Sequence, residues 1–467
     1  MLANAEIVRR FLELKHQAHP EVVQYIREQN DPTLIDRIAA AVPDDTLVIM
    51  PEHIPGLKKV RDGTRFLVDP ELEVIVGSAG TTGSVSGHED AVHYFRDRYN
   101  TLSSMLRSRM TAMPIEALLK SPHRYRDEEC NIIGMVADVR TTGKGHRLVE
   151  LEDPTGAIQV LFNKGREETF VEAERILPDE VLGVKGKLSG DGGLFFAEQL
   201  FRPDIPINHA PFKSDRPGKA VLISDVHVGS DTFLDDAWNR FADWLQDSDV
   251  GYLLIAGDLV DGIGIYPGQD QELTIKNIYE QYDRFGEMLR DLPSRIRIVA
   301  APGNHDVVRM AEPQPAIPPE FTAKFPSNCT LVENPCLLNL QGVRVLMYHG
   351  RSFDDMIGLI PGASYERPGE IMDEMLKRRL LAPSYGMRTP IAAMKTDRLV
   401  INPLPEVLLT GHVHICGVTR YRGVLGVNAG TWQSQTSFQK QMNIHPTPAR
   451  AFVIDLQTLQ PEVLDFS

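Results

Sequence analysis

At 467 residues, with 42% apolar and 24% charged side chains, the chain exceeds one ordinary core and is expected to form two or three globular domains. A formal charge of −15 excludes a protein that holds a polyanion by its net field, so nucleic-acid contact would need a local basic patch or a partner. Four cysteines without CxxC spacing exclude a disulfide framework, no run is long enough to span a bilayer, and residues 1–11 lack a signal-peptide core, so a reduced, cytoplasmic setting with no membrane partner is expected.

Residues 1–76 read as a small helical module. Ile7, Phe11 and Leu14 mark one helix face, Val22, Val23 and Ile26 a second, and Leu34, Ile35 and Ile38 a third, with Asn30-Asp31-Pro32 as punctuation. Residues 77–90, which contain Gly77-Ser78-Ala79-Gly80-Thr81-Thr82-Gly83-Ser84, have the composition of a flexible linker. Residues 91–125 form a basic helical segment, with its helix expected over 91–120. Arg96, Arg98, Arg107 and Arg109 either face a phosphate backbone or solvate the helix.

Residues 126–210 change period. Runs at 132–139, 147–152, 157–162, 180–188 and 194–200 read as five short strands with Gly-rich turns between them, which predicts an OB-type barrel. Phe162, Phe195, Phe196 and Phe201 alternate or cluster as core residues do. Protein docking is therefore favoured over single-strand stacking for this module.

Over 217–467, strands and amphipathic helices alternate, which predicts an α/β sandwich with a covered sheet. Strand-type runs at 220–223, 252–256, 296–301, 343–348 and 407–410 each end in a polar motif. In order these are Asp225-Val226-His227, Gly257-Asp258-Leu259-Val260-Asp261, Gly303-Asn304-His305-Asp306, His349-Gly350 and Gly411-His412-Val413-His414. The span 352–406 interrupts the alternation and reads as an insertion beside the same face.

Hard and borderline donors at successive strand ends point to a two-metal phosphoesterase site. Two divalent ions about 3.5–4 Å apart need a bridging carboxylate, with separate nitrogen and oxygen ligands on each side. Asp258, central in the motif order and beside a Gly turn, is the expected bridge. Asp225, His227 and His414 would complete one ion; Asn304, His349 and His412 would complete the other. This thiolate-free set suits manganese, iron(II) or zinc. His305 is expected to protonate a leaving oxygen or stabilise phosphorane charge, with Asp306 accepting its ring N–H. Asp261 either backs His227 or caps the next turn. Arg351 is the candidate for gripping substrate phosphate, with an ion pair to Asp354 or Asp355 as the alternative.

The motif set resembles the calcineurin-type metallophosphoesterases. The full order, a helical module, an OB-type barrel and then a C-terminal α/β metallophosphoesterase sandwich, resembles the small subunit of the archaeal family D DNA polymerases. Tyr348-His349-Gly350-Arg351-Ser352-Phe353-Asp354-Asp355, Ala429-Gly430-Thr431-Trp432-Gln433-Ser434-Gln435-Thr436 and Met442-Asn443-Ile444-His445-Pro446-Thr447-Pro448 carry the same resemblance. It implies a manganese-dependent 3′–5′ exonuclease that proofreads DNA 3′ ends for a separate large catalytic subunit, with His305 as the family's histidine acid. Two alternatives are a scaffold subunit that keeps its site by descent and a free-standing phosphodiesterase. Intact ligand positions speak against the first, and the barrel with its basic helix against the second. No sliding-clamp motif is visible, so direct clamp contact is not expected.

Overall fold

The structure is a computed structural model that describes residues 4–29, 33–42, 46, 48–49, 70–80, 87–125 and 128–467. The chain forms two compact units, Met1–Arg65 and Phe66–Ser467. In the first, helices Asn4–Glu13, Pro20–Gln29 and Thr33–Ala41 turn their apolar stripes inward. Ile7, Phe11, Val22, Val23, Ile26, Ile35 and Ile38 are buried together, with Leu14 and Leu34 at the margin, as the helical spacing requires. Asn30-Asp31-Pro32 lies outside the described residues.

The second unit starts earlier than composition suggests. Leu72–Ser78, expected to divide between the helical module and the linker, is a strand lying antiparallel along Cys329–Leu340. Leu72 and Val74, two residues apart, pack on the core of the sheet. Gly77 has φ +86°, and a Cβ there would lie 2.7 Å from the Cys336 Cβ. A glycine can signal looseness or close approach, and here it signals close approach. Residues 81–86 of the expected linker lie outside the described residues.

The basic segment is one helix, Gly87–Arg107, followed by the short helix Ile115–Lys120. Arg98 does not face solvent. It is fully buried, its Nε donating to Asp397 at 2.6 Å and its terminal nitrogens to the Tyr94 hydroxyl at 2.5 Å and the Ala382 carbonyl at 3.2 Å. Tyr94, Arg98, Leu102 and Leu106 are spaced by four and all are buried, so helical geometry carries the arginine inward with its apolar neighbours. Arg96, Arg107 and Arg109 are exposed.

Strands Glu129–Thr141, Arg147–Asp153, Gly156–Phe162, Val181–Leu188 and Phe195–Phe201 close into a barrel. The third and fifth run parallel, the other pairs run antiparallel, and helix Glu167–Glu174 lies between the third and fourth. This is the OB arrangement. Phe162 and Phe195 fill its core, but Phe196 and Phe201 are 43% and 38% exposed, because alternation turns Phe196 outward and a register shift at Glu198 does the same for Phe201. Glu180, the first residue of the expected strand, falls just before the observed one. It is a buried carboxylate that takes Arg202 at 3.3 Å and Arg378 at 3.0 Å, which ties the barrel to the larger domain.

Among the described residues, apart from the short pairing of Gln17–Ala18 with Val48–Ile49, the remaining strands form one eleven-stranded sheet: a path of ten with Cys329–Leu340 at its turning point, and Leu72–Ser78 paired to that strand off the path. Cys329–Leu340 pairs in parallel with Arg297–Ala301 through its start, and antiparallel with Val343–Met347 through its end. The path thereby folds into two facing layers. Leu222, Leu254 and Val299 meet Leu338, Val345, Met347, Leu409 and Val427 in a shared core. Alternate residues face outward. Val221, Ile223, Leu253 and Ile255 pack under helices Asp235–Asp247 and Ile278–Arg290. Leu346 and Leu408 pack under Phe353–Leu359 and Pro368–Arg378. The result is an α/β/β/α stack. The expected insertion supplies the last two helices. Cys329 and Cys336 are free thiols, and among the described residues no helix is long and apolar enough to cross a membrane.

Arg98→Ala is expected to leave Asp397 buried without its cation and to lower stability by about 3–5 kcal/mol. Arg96→Ala, on the solvent side of the same helix, is expected to stay within about 0.5 kcal/mol. Guanidinium denaturation midpoints of both variants check the contrast; equal midpoints would remove Arg98 from the packing.

Candidate metal centre and its cleft

Lys219–Ile223, Tyr252–Ala256 and Arg297–Ala301 run parallel, as do Val343–Met347 and Val407–Thr410. Parallel pairing puts their carboxyl ends on common rims, where loops meet ligands. At these ends the backbone turns sharply. Asp225, His227, Asp258, His412 and His414 have φ of +52°, +55°, +49°, +70° and +60°. Each left-handed non-glycine residue stores on the order of 1–3 kcal/mol of strain and needs its surroundings to hold it. They are held by hydrogen bonds: Asp225 N–H donates to the Gly257 carbonyl at 3.0 Å, His227 N–H to the Asp258 carbonyl at 3.0 Å, and His412 N–H to Asp225 Oδ2 at 2.9 Å. Gly303 has no room for a side chain, since a Cβ would lie 2.8 Å from His349 Cε1 and 2.5 Å from Asp258 N.

Three overlapping donor groups result: Asp225, His227 and His414; His227, Asp258 and His305; and Asp225, Asp258 and His349, the donor atoms in each within 4.8 Å of one another. Outer contacts fix the ring nitrogens. His227 Nδ1–H donates to Asp261 Oδ1 at 3.0 Å, and His349 Nδ1–H to the Ala256 carbonyl at 2.8 Å. The Nε2 of each neutral ring is therefore a lone pair. His349 Nε2 lies 3.1 Å from Asn304 Oδ1 and 3.3 Å from Asp258 Oδ2. His227 Nε2 lies 3.1 Å from His414 Nε2 and 3.7 Å from Asp258 Oδ2. Asp225 Oδ1 is buried with no hydrogen-bond partner, 3.3 Å from His414 Nε2 and 3.8 Å from His227 Nε2. With the rings neutral, acceptors aimed at acceptors need a cation between them, a role that a proton on His227 or His349 fills when no ion is bound. Donors about 2.1 Å from an ion would stand roughly 3–3.5 Å apart; four of these separations lie there, at 3.1–3.3 Å, and the two from His227 to Asp258 and Asp225 are wider, at 3.7 and 3.8 Å. The residues present thus fit divalent ions.

The field agrees. Burial alone would suppress charge on His227 and His349. The Asp225 and Asp261 hydrogen bonds and the Asp258 charge nonetheless raise His227 to about 10, and Asp258 with Asp225 raises His349 to about 9. Burial would raise Asp225 and Asp258, yet the surrounding imidazoles hold both well below the usual carboxylate range. The pocket is built to stabilise positive charge.

The site residues expected from sequence do not all take their expected parts. Asp261 resolves as the support of His227, itself held by the amides of Gln433 at 3.0 Å and Gln269 at 2.9 Å. Asp306 does not touch the His305 ring. Its carboxylate accepts from Tyr282 Oη at 2.8 Å, Gly303 N at 2.8 Å and Leu259 N at 3.1 Å, so it staples the loop; burial and the Asp258 charge push it up to about 7. The partner of His305 Nδ1–H is the Asp261 carbonyl, at 2.8 Å. His412 stays outside the three donor groups, with its Nε2 3.3 Å from Asp354 Oδ2 and its ring 5.3 Å from that of His349. Arg351 does not line the cleft and pairs with neither expected aspartate; its Nη1 rests 3.7 Å from Met310 Sδ. Asp354 is taken by His412 and by Tyr365 Oη at 2.7 Å, and Asp355 by the backbone of Arg388 and Thr389.

Above the donors opens a cleft of about 610 Å³, with His227, Asp258, Asn304, His305, His412 and His414 among its lining. Sequence reasoning missed Arg388 on its wall and Gln439, whose amide sits 2.8 Å from His414 Nδ1. The Thr436-to-Gln439 spacing of a capping box was readable, but nothing local ties it to a histidine 25 positions earlier.

Comparison with known proteins narrows the class. Residues 220–415 match the family of the B subunits of DNA polymerases alpha and epsilon, and residues 130–198 match the OB-fold nucleic acid binding domain. The domain that carries the donor groups is thus similar to polymerase B-type subunits. The DNA polymerase II small subunit of Halobacterium salinarum (strain ATCC 29341 / DSM 671 / R1) is 43% identical over 423 residues, 89% of this chain and 81% of that protein. That of Archaeoglobus fulgidus is 37% identical over 479 residues, 96% of this chain and 95% of its own length. The chain belongs to the DNA polymerase II small subunits, the small subunits of archaeal family D DNA polymerase. Among solved structures, Pyrococcus horikoshii asparaginyl-tRNA synthetase aligns with 16% of this chain and 19% of its own at 23% identity and a TM-score of 0.16, too little to bear on the fold.

After chelation and reloading with Mn2+, metal analysis should find two ions per chain, and Asp258→Ala should hold neither firmly. Asp261→Ala should weaken metal affinity roughly 10–100-fold while leaving the circular dichroism spectrum intact. Unchanged affinity in Asp261→Ala would assign that carboxylate to the loop alone.

Proposed function

We propose that this subunit is the proofreading 3′–5′ exonuclease of its polymerase, hydrolysing DNA phosphodiester bonds at the strand end. The observation that carries the reading is the opposed set of acceptors on Asp225, His227, His414, Asn304, His349 and Asp258 at the bottom of an open cleft. The α/β/β/α layering, with every motif at a strand end, supports a calcineurin-type metallophosphoesterase domain. Oxygen and imidazole donors without thiolate favour manganese, with iron(II) or zinc as substitutes. When bound, two such cations supply Lewis acidity toward a phosphodiester and make water acidic enough to attack it.

The chain's own residues do the rest. Asp258 reaches both halves of the centre, through His227 on one side and His349 on the other, and takes the His305 backbone N–H on its Oδ1 at 2.7 Å. That bond locks His305 over the site. With Nδ1–H fixed on the Asp261 carbonyl, Nε2 is the atom left to exchange a proton with a leaving oxygen. Asp306 holds the loop that carries His305 and acts at one remove. The relatives' name implies a large catalytic subunit as partner, and a replicative role fits the cytoplasm.

Two outcomes are expected. His305→Ala should lower Mn2+-dependent hydrolysis of 3′-labelled single-stranded DNA by roughly 10²–10⁴-fold with metal content unchanged; loss of an ion would make His305 a ligand instead. With the two-subunit complex, a primer carrying one 3′ mismatch should be shortened faster than its matched twin, because the mismatch lowers the unpairing cost by a few kcal/mol. Equal rates, or cleavage beginning at the 5′ end, would leave a phosphoesterase without a proofreading role.

A further inference from the structure

The floor of the cleft is made of donors, but its walls are not. Tyr266, Phe438 and Met442 line it and are 36%, 61% and 57% exposed. Arg388 lines it too and is the one arginine or lysine among its described lining residues. The rings are anchored. Tyr266 Oη donates to Glu272 Oε2 at 2.8 Å. Phe438 stands on the helix Ser437–Gln441, whose first turn is closed by the Thr436–Gln439 capping box. Its neighbour Gln439 touches His414, so Phe438 is one residue from a contact to the donor set.

Large apolar surface beside buried charge calls for a ligand with both characters. A nucleotide has them at a fixed spacing: a flat apolar base and an anionic phosphate. Base–aromatic stacking needs no particular base, and a guanidinium suits a phosphate. The volume, about 610 Å³, is that of a small-ligand site and not of a groove that takes paired duplex. Resting on the nuclease reading for where the scissile phosphate sits, we infer that Tyr266 and Phe438 form a stacking subsite for an unpaired nucleobase, with Arg388 on a neighbouring phosphate. The subsite selects by availability of a face. A paired base is stacked on its neighbours, whereas an unpaired end offers its ring to Phe438. Discrimination against duplex then resides partly in this chain and not solely in how a partner delivers the strand.

The test uses the full chain with Ca2+ and two single-stranded oligonucleotides, one ending in 3′ 2-aminopurine and one in a 3′ abasic residue. The parent should quench 2-aminopurine on binding. Phe438→Ala and Tyr266→Ala should each bind that strand about 5- to 150-fold more weakly and lose quenching, while Phe438→Trp retains it. Parent and alanine variants should bind the abasic strand alike, whereas Arg388→Ala should weaken both strands equally. Absent quenching in the parent, or the same loss on the abasic strand, overturns the subsite. Quenching without Mn2+-dependent hydrolysis would instead remove the nuclease reading and leave the subsite standing.

Discussion

The constraint on which the rest of the structure depends is the burial of carboxylate charge at one point. Asp225, Asp258 and Asp261 lie within a few side chains of each other and are almost fully buried. Desolvated like charges are strongly unfavourable unless each meets a donor or cation. The surroundings can be read as the answer to that problem. Imidazoles stand between the carboxylates, glutamine amides cap the outer oxygens, and backbone N–H groups of His305 and His412 point inward. The strained residues Asp225, His227, Asp258, His412 and His414, at three strand ends, bring the His412 N–H and most of the rings and carboxylates to bear. The two packed sheet layers supply the rigidity that holds the strain.

A buried centre of this kind also explains why its support is polar and layered. His227 leans on Asp261, which leans on Gln433 and Gln269; His349 leans on the Ala256 carbonyl, and its backbone N–H donates to Asn334. Each layer removes a rotamer from the layer inside it. Gln269 and Gln433 come from segments with no regular period, so no local pattern announces them.

Much of the fold was legible because it rests on local rules. The five barrel strands and the strand–motif alternation follow period two and its interruption by glycine, and the structure moves their ends by only a few residues. The main donor groups were legible because carboxylates and imidazoles recur at the ends of strand-type runs. What could not be read depends on contacts distant in sequence. Arg98 reads as a surface charge until Asp397, 299 positions later, is brought against it. Asp306 sits beside His305 in sequence yet turns to Tyr282, and Arg351 sits two positions beyond His349 yet faces Met310. Nearness along the chain predicted both roles, but these residues lie in irregular turns, where it does not fix side-chain direction. Gly77 misled in the opposite sense, since composition alone cannot separate a loose glycine from a tightly packed one.

The strand Leu72–Ser78 gives the chain a topology that a list of consecutive domains hides. Because it belongs to the same sheet as the strands from Lys219 onward, the barrel is inserted into the larger domain and is not strung before it. An inserted barrel is anchored at both ends, so it has far less orientational freedom than one hung from a single tether, and the ion pairs of Glu180 and Arg378 need only select among few arrangements. The same strand covers one side of Leu337–Leu340 while Val343–Met347 covers the other. A chain trimmed to its helix, barrel and the residues from Lys219 onward would therefore expose an apolar sheet edge, ready to pair with the next molecule.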